Sequence, residues 1–309
     1  MNFRTDMADE RIDIYKEVNN KNEIDGIVSK DVEISEKIKM TIVDIINENG
    51  AKALNKPMGR YVTIDVKKIR FLNDENREKL ENCIIDNIKE ILRKNIKEDD
   101  EILVVGLGNL YSTPDALGTK VVQNLELTRH IKKYLPNSID ENARSVSAIV
   151  PGVLGTTGID SIEIIQGVVE KIKPKAIIVV DSLASKSIER IGSSIQISDT
   201  GIAPGSGVGN KRPEINKETL NIPVIAIGVP TVVELATLVS DGINIFIDNL
   251  QEKAKSNDYL NELKNEEKYD EVKEALNVGD YNMIVTPKEI DDLIDNMKDL
   301  ISKGINFAV

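Results

Sequence analysis

The sequence predicts an α/β fold of three layers, with helices on both faces of a mostly parallel sheet. Three observations carry this. Short Ile/Val-rich runs are each closed by a glycine, a proline or an acidic residue, as buried strands are. Segments of helical period lie between them, which is the alternation of a crossover-connected sheet. The chain is 40% apolar but only 4% aromatic and lacks Trp, so its core is built from Ile, Val and Leu, the residues of strands buried on both faces.

The elements follow in chain order. Glu33 to Ala53 reads as a helix, Tyr61-Val62-Thr63-Ile64 as a strand, and Asn76 to Lys94 as a helix. The central strands are Ile102–Val105 before Gly106, Ser147–Val150 before Pro151-Gly152, Ala176–Val180 ending at Asp181, and Val224–Ile227 before Gly228. Thr113-Pro114-Asp115 starts a helix with a capping residue and a proline. Asp160 to Ile172 is helical by the spacing of Ile162, Ile165, Val168 and Val169, and Thr231 to Val239 is a helix entered from Pro230. Thr286, Pro287 and Glu289 form a capping box for a last helix that stops at Gly304. With no repeat or low-complexity linker, residues 8–309 are expected to form a single domain. It carries a charged helical excursion around residues 248–273.

Several function classes are excluded. The net charge of −12 comes with no dense Lys/Arg block, which argues against direct nucleic-acid binding. Cys83 is the only cysteine and His130 the only histidine, so neither a disulfide nor a Cys- or His-rich metal site is expected. The start of the chain has no apolar signal segment and no run reaches about 18 apolar residues. A cytoplasmic protein without membrane contact, metal or cofactor is the expectation.

Polar, glycine-rich segments follow the predicted strand ends, where open α/β sheets form their sites. One runs from Gly106 to Asp115 and includes Asn109. A second begins at Asp181, and a third spans Asp199 to Asn210 with Gly205, Ser206 and Gly207. Asp115 and Asp181 are the candidate catalytic residues. Two carboxyls at one place share a proton: the ionised one activates water and the protonated one polarises a carbonyl. That is peptide hydrolysis without His, Cys or metal. Each aspartate could equally be a helix cap or a turn residue. The Gly205-Ser206-Gly207 loop could present amides to an oxyanion or simply make a tight turn. Glu163 could face the crevice, and Asn109 and Asp199 complete the cleft-lining candidates. Gly106-x-Gly108 lacks the third glycine of a dinucleotide site, and Ser206 does not lie in a nucleophile elbow. His130 on its helix and Cys83 on an amphipathic helix read as structural.

These segments carry a family resemblance. Gly-Leu-Gly-Asn109, Thr-Pro-Asp115-Ala-Leu-Gly, Thr128-Arg129-His130, Pro151-Gly152-Val153 and Thr157-Gly158-Ile159 resemble the germination proteases of spore-forming bacteria. So do Ile195 to Ile202 with Pro204 to Asn210, Ile222 to Val233, and Val285 to Asp291. The resemblance implies an endopeptidase that starts the degradation of small acid-soluble spore proteins during germination in the cytoplasm of the forespore and spore. It implies an atypical aspartic mechanism on Asp115 and Asp181, a fold similar to the hydrogenase-maturation proteases, a homotetramer, and synthesis as a self-processing zymogen. Thr5-Asp6-Met7-Ala8-Asp9-Glu10 looks like such a processing site. Cleavage is expected near Met7–Ala8, releasing a propeptide of residues 1–7. Two positions depart from the family pattern: Ser182 follows Asp181 where alanine is usual, and Glu234 stands where aspartate is usual. Two alternatives compete: a metal-dependent peptidase using Asp115, Asp181 and Glu163, and a non-enzymatic binder of spore proteins.

Overall fold

The computed structural model describes residues 5–19, 23–205, 212–253 and 283–309. Its strands are β1 Ile27–Ser35, β2 Ile38–Ile45, β3 Gly59–Val66, β4 Ile102–Gly106, β5 Val146–Ile149, β6 Ala176–Ser185, β7 Ser194–Ser198, β8 Val224–Glu234 and β9 Ile284–Val285. Its helices are α1 Ala8–Asn19, α2 Glu48–Leu54, α3 Asp74–Asn95, α4 Leu117–Gln123, α5 Arg129–Tyr134, α6 Leu154–Thr157, α7 Ser161–Ile172, α8 Lys217–Leu220, α9 Leu235–Lys253 and α10 Ile290–Ala308. The nine strands among the described residues belong to one sheet of order β1-β2-β3-β7-β8-β6-β4-β5, with β9 added to β8.

The α/β class and the three layers agree with the sequence. The sheet itself is mixed rather than mostly parallel. Only β8, β6, β4 and β5 pair in parallel, whereas β1, β2, β3, β7 and β8 pair antiparallel in succession. The cause is connection length: β1 and β2 join through a tight turn, too short for the crossover that a parallel pair requires.

Alternation along the strands separates two faces. Ile102, Val104, Ile178, Val180, Ile195, Ile197, Ile225 and Ile227 pack with α3, α4 and α10. Leu103, Val105, Ile177 and Val179 face the other way, toward α7 and α8. On that second face Val43, Ile45 and Tyr61 pack against α1 and α2. On α10, the buried Ile290, Ile294, Met297, Leu300, Ile301, Ile305 and Ala308 recur at helical spacing. Each large side chain buried this way stabilises the fold by roughly 1.5–3 kcal/mol.

Four local readings are corrected. Glu33 to Ala53 is not a helix but the end of β1, β2 and α2. Ile38, Ile42 and Ile45 fall at helical spacing, yet the segment is a two-faced strand. Ile38 and Ile42 serve one core and Val43 and Ile45 the other. Asp181 does not end its strand, because β6 continues to Ser185. β8 likewise continues through Thr231 to Glu234, with Val232 and Val233 paired to β6 and Val233 and Glu234 to β9, and the helix begins only at Leu235. Lastly, α10 begins at Ile290 without a capping box and runs through Gly304 to Ala308. The Thr286 hydroxyl donates instead to the Thr231 carbonyl at 2.9 Å. Gly304 is an approach point rather than a stop, since a Cβ there would lie 2.6 Å from Ile84 Cγ2. Of the charged excursion, Asp248–Lys253 falls in α9 and residues 254–273 lie outside the described residues.

Candidate active site

Gly106 and Gly118 set the geometry. A Cβ on Gly106 would come 2.1 Å from the Gly118 carbonyl oxygen, and one on Gly118 would come 2.3 Å from that of Val180. Bare backbone at both positions lets the start of α4 settle onto the end of β4 and the middle of β6. The preceding 3-10 turn, Thr113–Asp115, is thereby held beside β6. Gly108, at φ +105°, folds the loop back so that Asn109 N donates to the Asp115 carbonyl at 2.9 Å.

Asp115 and Asp181 line one cavity of about 260 Å³, together with Asp6, Gly108, Ser112, Ser161, Ser182, Gly205, Arg212 and Thr231. Burial raises the Asp115 carboxyl to about 6, against the pull of the Asn109 amide and the Arg212 guanidinium. Asp181 is only 5% exposed. Burial first, and then the charge of Asp115, lift it well above the usual carboxylate range, while the Ser182 amide and Arg212 oppose the rise. Ser182 N donates to Asp181 Oδ1 at 2.9 Å. Burial favours the protonated form of each carboxyl, and repulsion between them disfavours ionising both together.

Two hydroxyls of the cavity residues are buried without a hydrogen-bond partner among the described residues: Ser182 Oγ and Thr231 Oγ1. Thr231 is the extra residue where the β6–β8 register shifts, between Leu183↔Pro230 and Ala184↔Val232. Bulges of this kind re-aim side chains next to sites.

The N-terminal segment runs into the same place. Asp6 lines the cavity, its amide donates to the Ala184 carbonyl, and its Oδ2 accepts from Ala184 N, both at 2.9 Å. The Asp6 carbonyl accepts from Lys56 Nζ at 2.5 Å and from Gln196 Nε2 at 3.1 Å. Gln196 Oε1 accepts from Ala8 N at 2.8 Å, so one side-chain amide spans Met7, which is wholly buried. Beyond it, Glu10 accepts from the Lys186 and Ser187 amides at 2.7 and 3.1 Å, and Asp9 pairs with Arg190 at 2.7 Å.

The other sequence candidates scatter. Gly205 lines the cavity. Asn109 does not line the cavity: its amide donates to the Asp115 carbonyl and its side chain accepts from Tyr111 N at 3.0 Å. Asp199 is exposed and accepts from the Arg60 amide at 2.8 Å. Glu163 is exposed on the first turn of α7, away from the cavity lining. Asp115, Asp181 and Glu163 therefore do not gather, and no three His, Cys, Asp or Glu side chains among the described residues are placed to hold a metal. Ser206 and Gly207 lie outside the described residues, as do residues 1–4 of the expected propeptide. His130 is exposed on α5, not packed as its apolar neighbours suggested. Sequence reasoning missed Asp6, Lys56, Gln196, Arg212 and Thr231. Asp6, Gln196 and Thr231 stood in motifs already singled out, whereas Lys56 and Arg212 did not.

The comparisons with known proteins decide the family. The sequence model described as germination protease matches residues 4–262 and 249–309. The chain belongs to the germination protease family. The germination protease of Clostridium perfringens (strain 13 / Type A) is 47% identical over 314 residues, covering 100% of this chain and 95% of the relative. That of Clostridium tetani is 45% identical over 313 residues, covering 100% and 96%. That of Priestia megaterium is 42% identical over 346 residues, covering 99% and 93%. Among solved structures, the NiFe hydrogenase maturation protease HycI from Thermococcus kodakarensis KOD1 is similar at 18% identity and a TM-score of 0.29. That match covers 46% of this chain and 80% of the other. As a member of the family the chain is a peptidase acting on protein substrates. No helix among the described residues is long and apolar enough to cross a membrane.

Proposed function

We propose that the chain is an aspartate-dependent endopeptidase that begins the breakdown of small acid-soluble spore proteins in the germinating spore and processes its own N-terminus. The observation that carries this is the convergence of Asp115 and Asp181 on one cavity, both with raised carboxyls. The ionised member of the pair takes a proton from water as the water oxygen attacks the peptide carbonyl carbon. The protonated member then gives its proton to the leaving nitrogen as the C–N bond breaks. Net consumption is one water, and the pair regains its single proton.

Self-processing is supported by Asp6, which lines the cavity of Asp115 and Asp181 and precedes the expected cleavage near Met7–Ala8. The homotetramer and the forespore and spore-core cytoplasm belong to the same proposal through the family. The test is incubation of the purified chain, with Asp115→Asn and Asp181→Asn beside it, with a small acid-soluble spore protein. Wild type yields fragments, in chelator as well as without, and either substitution lowers the rate by several powers of ten. Near-normal rates in the variants refute the aspartate pair. Intact substrate with wild type refutes the peptidase reading in favour of a binder.

A further inference from the structure

We infer that Lys56 and Gln196 form the electrophilic cradle of the reaction, holding the carbonyl oxygen of the bond that is cut, and that in the chain's own N-terminus this bond is Asp6–Met7. The inference rests on the aspartate-pair reading and adds the groups that receive the developing charge.

The sheet register carries the argument. Gly228 of β8 stands opposite Asp181 of β6 on one side and Gln196 of β7 on the other. Asp181 follows the alternation of Ile177 and Val179, and Gln196 opposes that of Ile195 and Ile197, so both side chains rise on the same face of the sheet. Two strand spacings separate them, roughly 10 Å. Gly228 puts no side chain between them, and Leu183 leans over it, a Cβ there meeting Leu183 Cδ1 at 2.4 Å. Asp6 and Leu183 line both the Asp115–Asp181 cavity and a second cavity of about 230 Å³ that holds Lys56, Gln196 and Tyr61. Asp6 thus borders the cavity of the acid pair while its carbonyl oxygen takes the two donors of the second cavity.

The hydrogen bonds select this bond over its neighbour. The Asp6 oxygen takes two side-chain donors, Lys56 Nζ and Gln196 Nε2, and Gln196 also fixes Ala8 N beyond the leaving residue. The leaving nitrogen is held too, since Met7 N donates to Thr5 Oγ1 at 3.0 Å. When water adds to the Asp6 carbonyl carbon, the C=O electron pair moves onto an oxygen already facing an ammonium and an amide. Fixed donors aimed at a developing oxyanion in a dry site stabilise it far more than they would in water. Collapse breaks the bond to Met7 N, which takes the pair's proton. The products are an Asp6 carboxylate and a Met7 amine.

The experiment follows self-cleavage of the full chain by intact mass, with wild type, Lys56→Met, Lys56→Arg, Gln196→Leu and Asp181→Asn in parallel. Thermal melting of each variant checks folding. Wild type loses residues 1–6. Lys56→Met slows this about 10²–10³-fold, the usual cost of one oxyanion donor. Gln196→Leu slows it at least tenfold, and Lys56→Arg, which keeps the charge, recovers part of the rate. The inference is overturned if wild type leaves Asp6–Met7 intact or is cut first at Met7–Ala8. It also falls if Lys56→Met and Gln196→Leu cleave within threefold of wild type, or if Lys56→Arg is as slow as Lys56→Met although it melts like wild type. If Lys56→Met does not fold, Gln196→Leu and Lys56→Arg decide by the same limits. A silent Asp181→Asn beside normal Lys56 and Gln196 variants removes only the cradle, whereas normal cleavage by Asp181→Asn removes the aspartate pair as well.

Discussion

Asp6 and Ala184 exchange two hydrogen bonds, Asp6 N to the Ala184 carbonyl and Ala184 N to Asp6 Oδ2, each at 2.9 Å. This exchange ties the N-terminal segment to β6 three residues beyond Asp181. The Ala184 amide is buried there, and an unpaired buried donor costs about 1–3 kcal/mol. Asp6→Ala should therefore speed hydrogen exchange of the Ala184 amide by about 10–10²-fold while leaving β4 amides protected. An unchanged Ala184 amide would show that the segment is held from elsewhere.

Arg190 is the common partner of three acids: Asp9 at 2.7 Å, Glu10 at 3.5 Å and Asp65 at 3.6 Å. Removing the cation from this half-buried cluster leaves carboxylates without compensation, and broken buried pairs of this kind cost about 3–5 kcal/mol. Arg190→Met should lose stability of that order in urea denaturation at pH 7.5. Burial already raises the Glu10 and Asp65 carboxyls, so they take up protons readily once Arg190 is gone. The loss should shrink at pH 5, and an equal loss at both pH values would contradict this account.

The sequence was most legible where one local pattern had one outcome. Ile102–Val105 and Ala176–Val180 are buried on both faces, and their uniform apolar runs mark them as strands without ambiguity. Within the expected helix Glu33 to Ala53, Ile38, Ile42 and Ile45 fall at helical spacing although they belong to a strand that serves two cores. The pairing partner of a strand is a tertiary fact, so the antiparallel half of the sheet was not visible. Asp115 and Asp181 could be nominated because each follows a glycine-closed or apolar run. Lys56 and Gln196 could not, since they meet only through the Asp6 carbonyl, across contacts far apart in sequence.

The raised carboxyls fix the direction of two pH effects. Asp115 near 6 and Asp181 above the usual range both favour the protonated form in the folded chain. A group raised on folding contributes stability below its unfolded value of about 3.9, and that contribution is lost as pH rises through the folded value. Asp181→Asn removes a buried charge that disfavours folding at high pH. It should raise the melting temperature at pH 8 and narrow its advantage toward pH 5. Cleavage should follow a bell-shaped profile whose acid limb lies near pH 6, the limbs belonging to the coupled pair. A melting temperature that falls at pH 8 would mean that the Asp181 charge is compensated in the fold.

Gly118 offers a way to disturb the pair without touching either acid. A Cβ there would meet the Val180 oxygen at 2.3 Å, the Leu107 oxygen at 2.5 Å and Leu107 N at 2.6 Å. All three are buried backbone atoms, at Val180 inside β6 and at Leu107 just after β4, so no side chain can swing aside. α4 must lift instead, and the 3-10 turn that carries Asp115 lifts with it. Overpacking of a closed contact costs about 1–3 kcal/mol, and a displacement near 1 Å in a catalytic group costs about 10²-fold in rate. Gly118→Ala should therefore fold with a lowered melting temperature and cleave protein substrate about 10²-fold more slowly. Gly155, by contrast, has open space around its Cβ position. Gly155→Ala should leave both stability and rate nearly unchanged, which separates displacement of Asp115 from a general effect of adding a methyl group. Equal activity in the two alanine variants would show that the position of Asp115 does not depend on the close seating of α4.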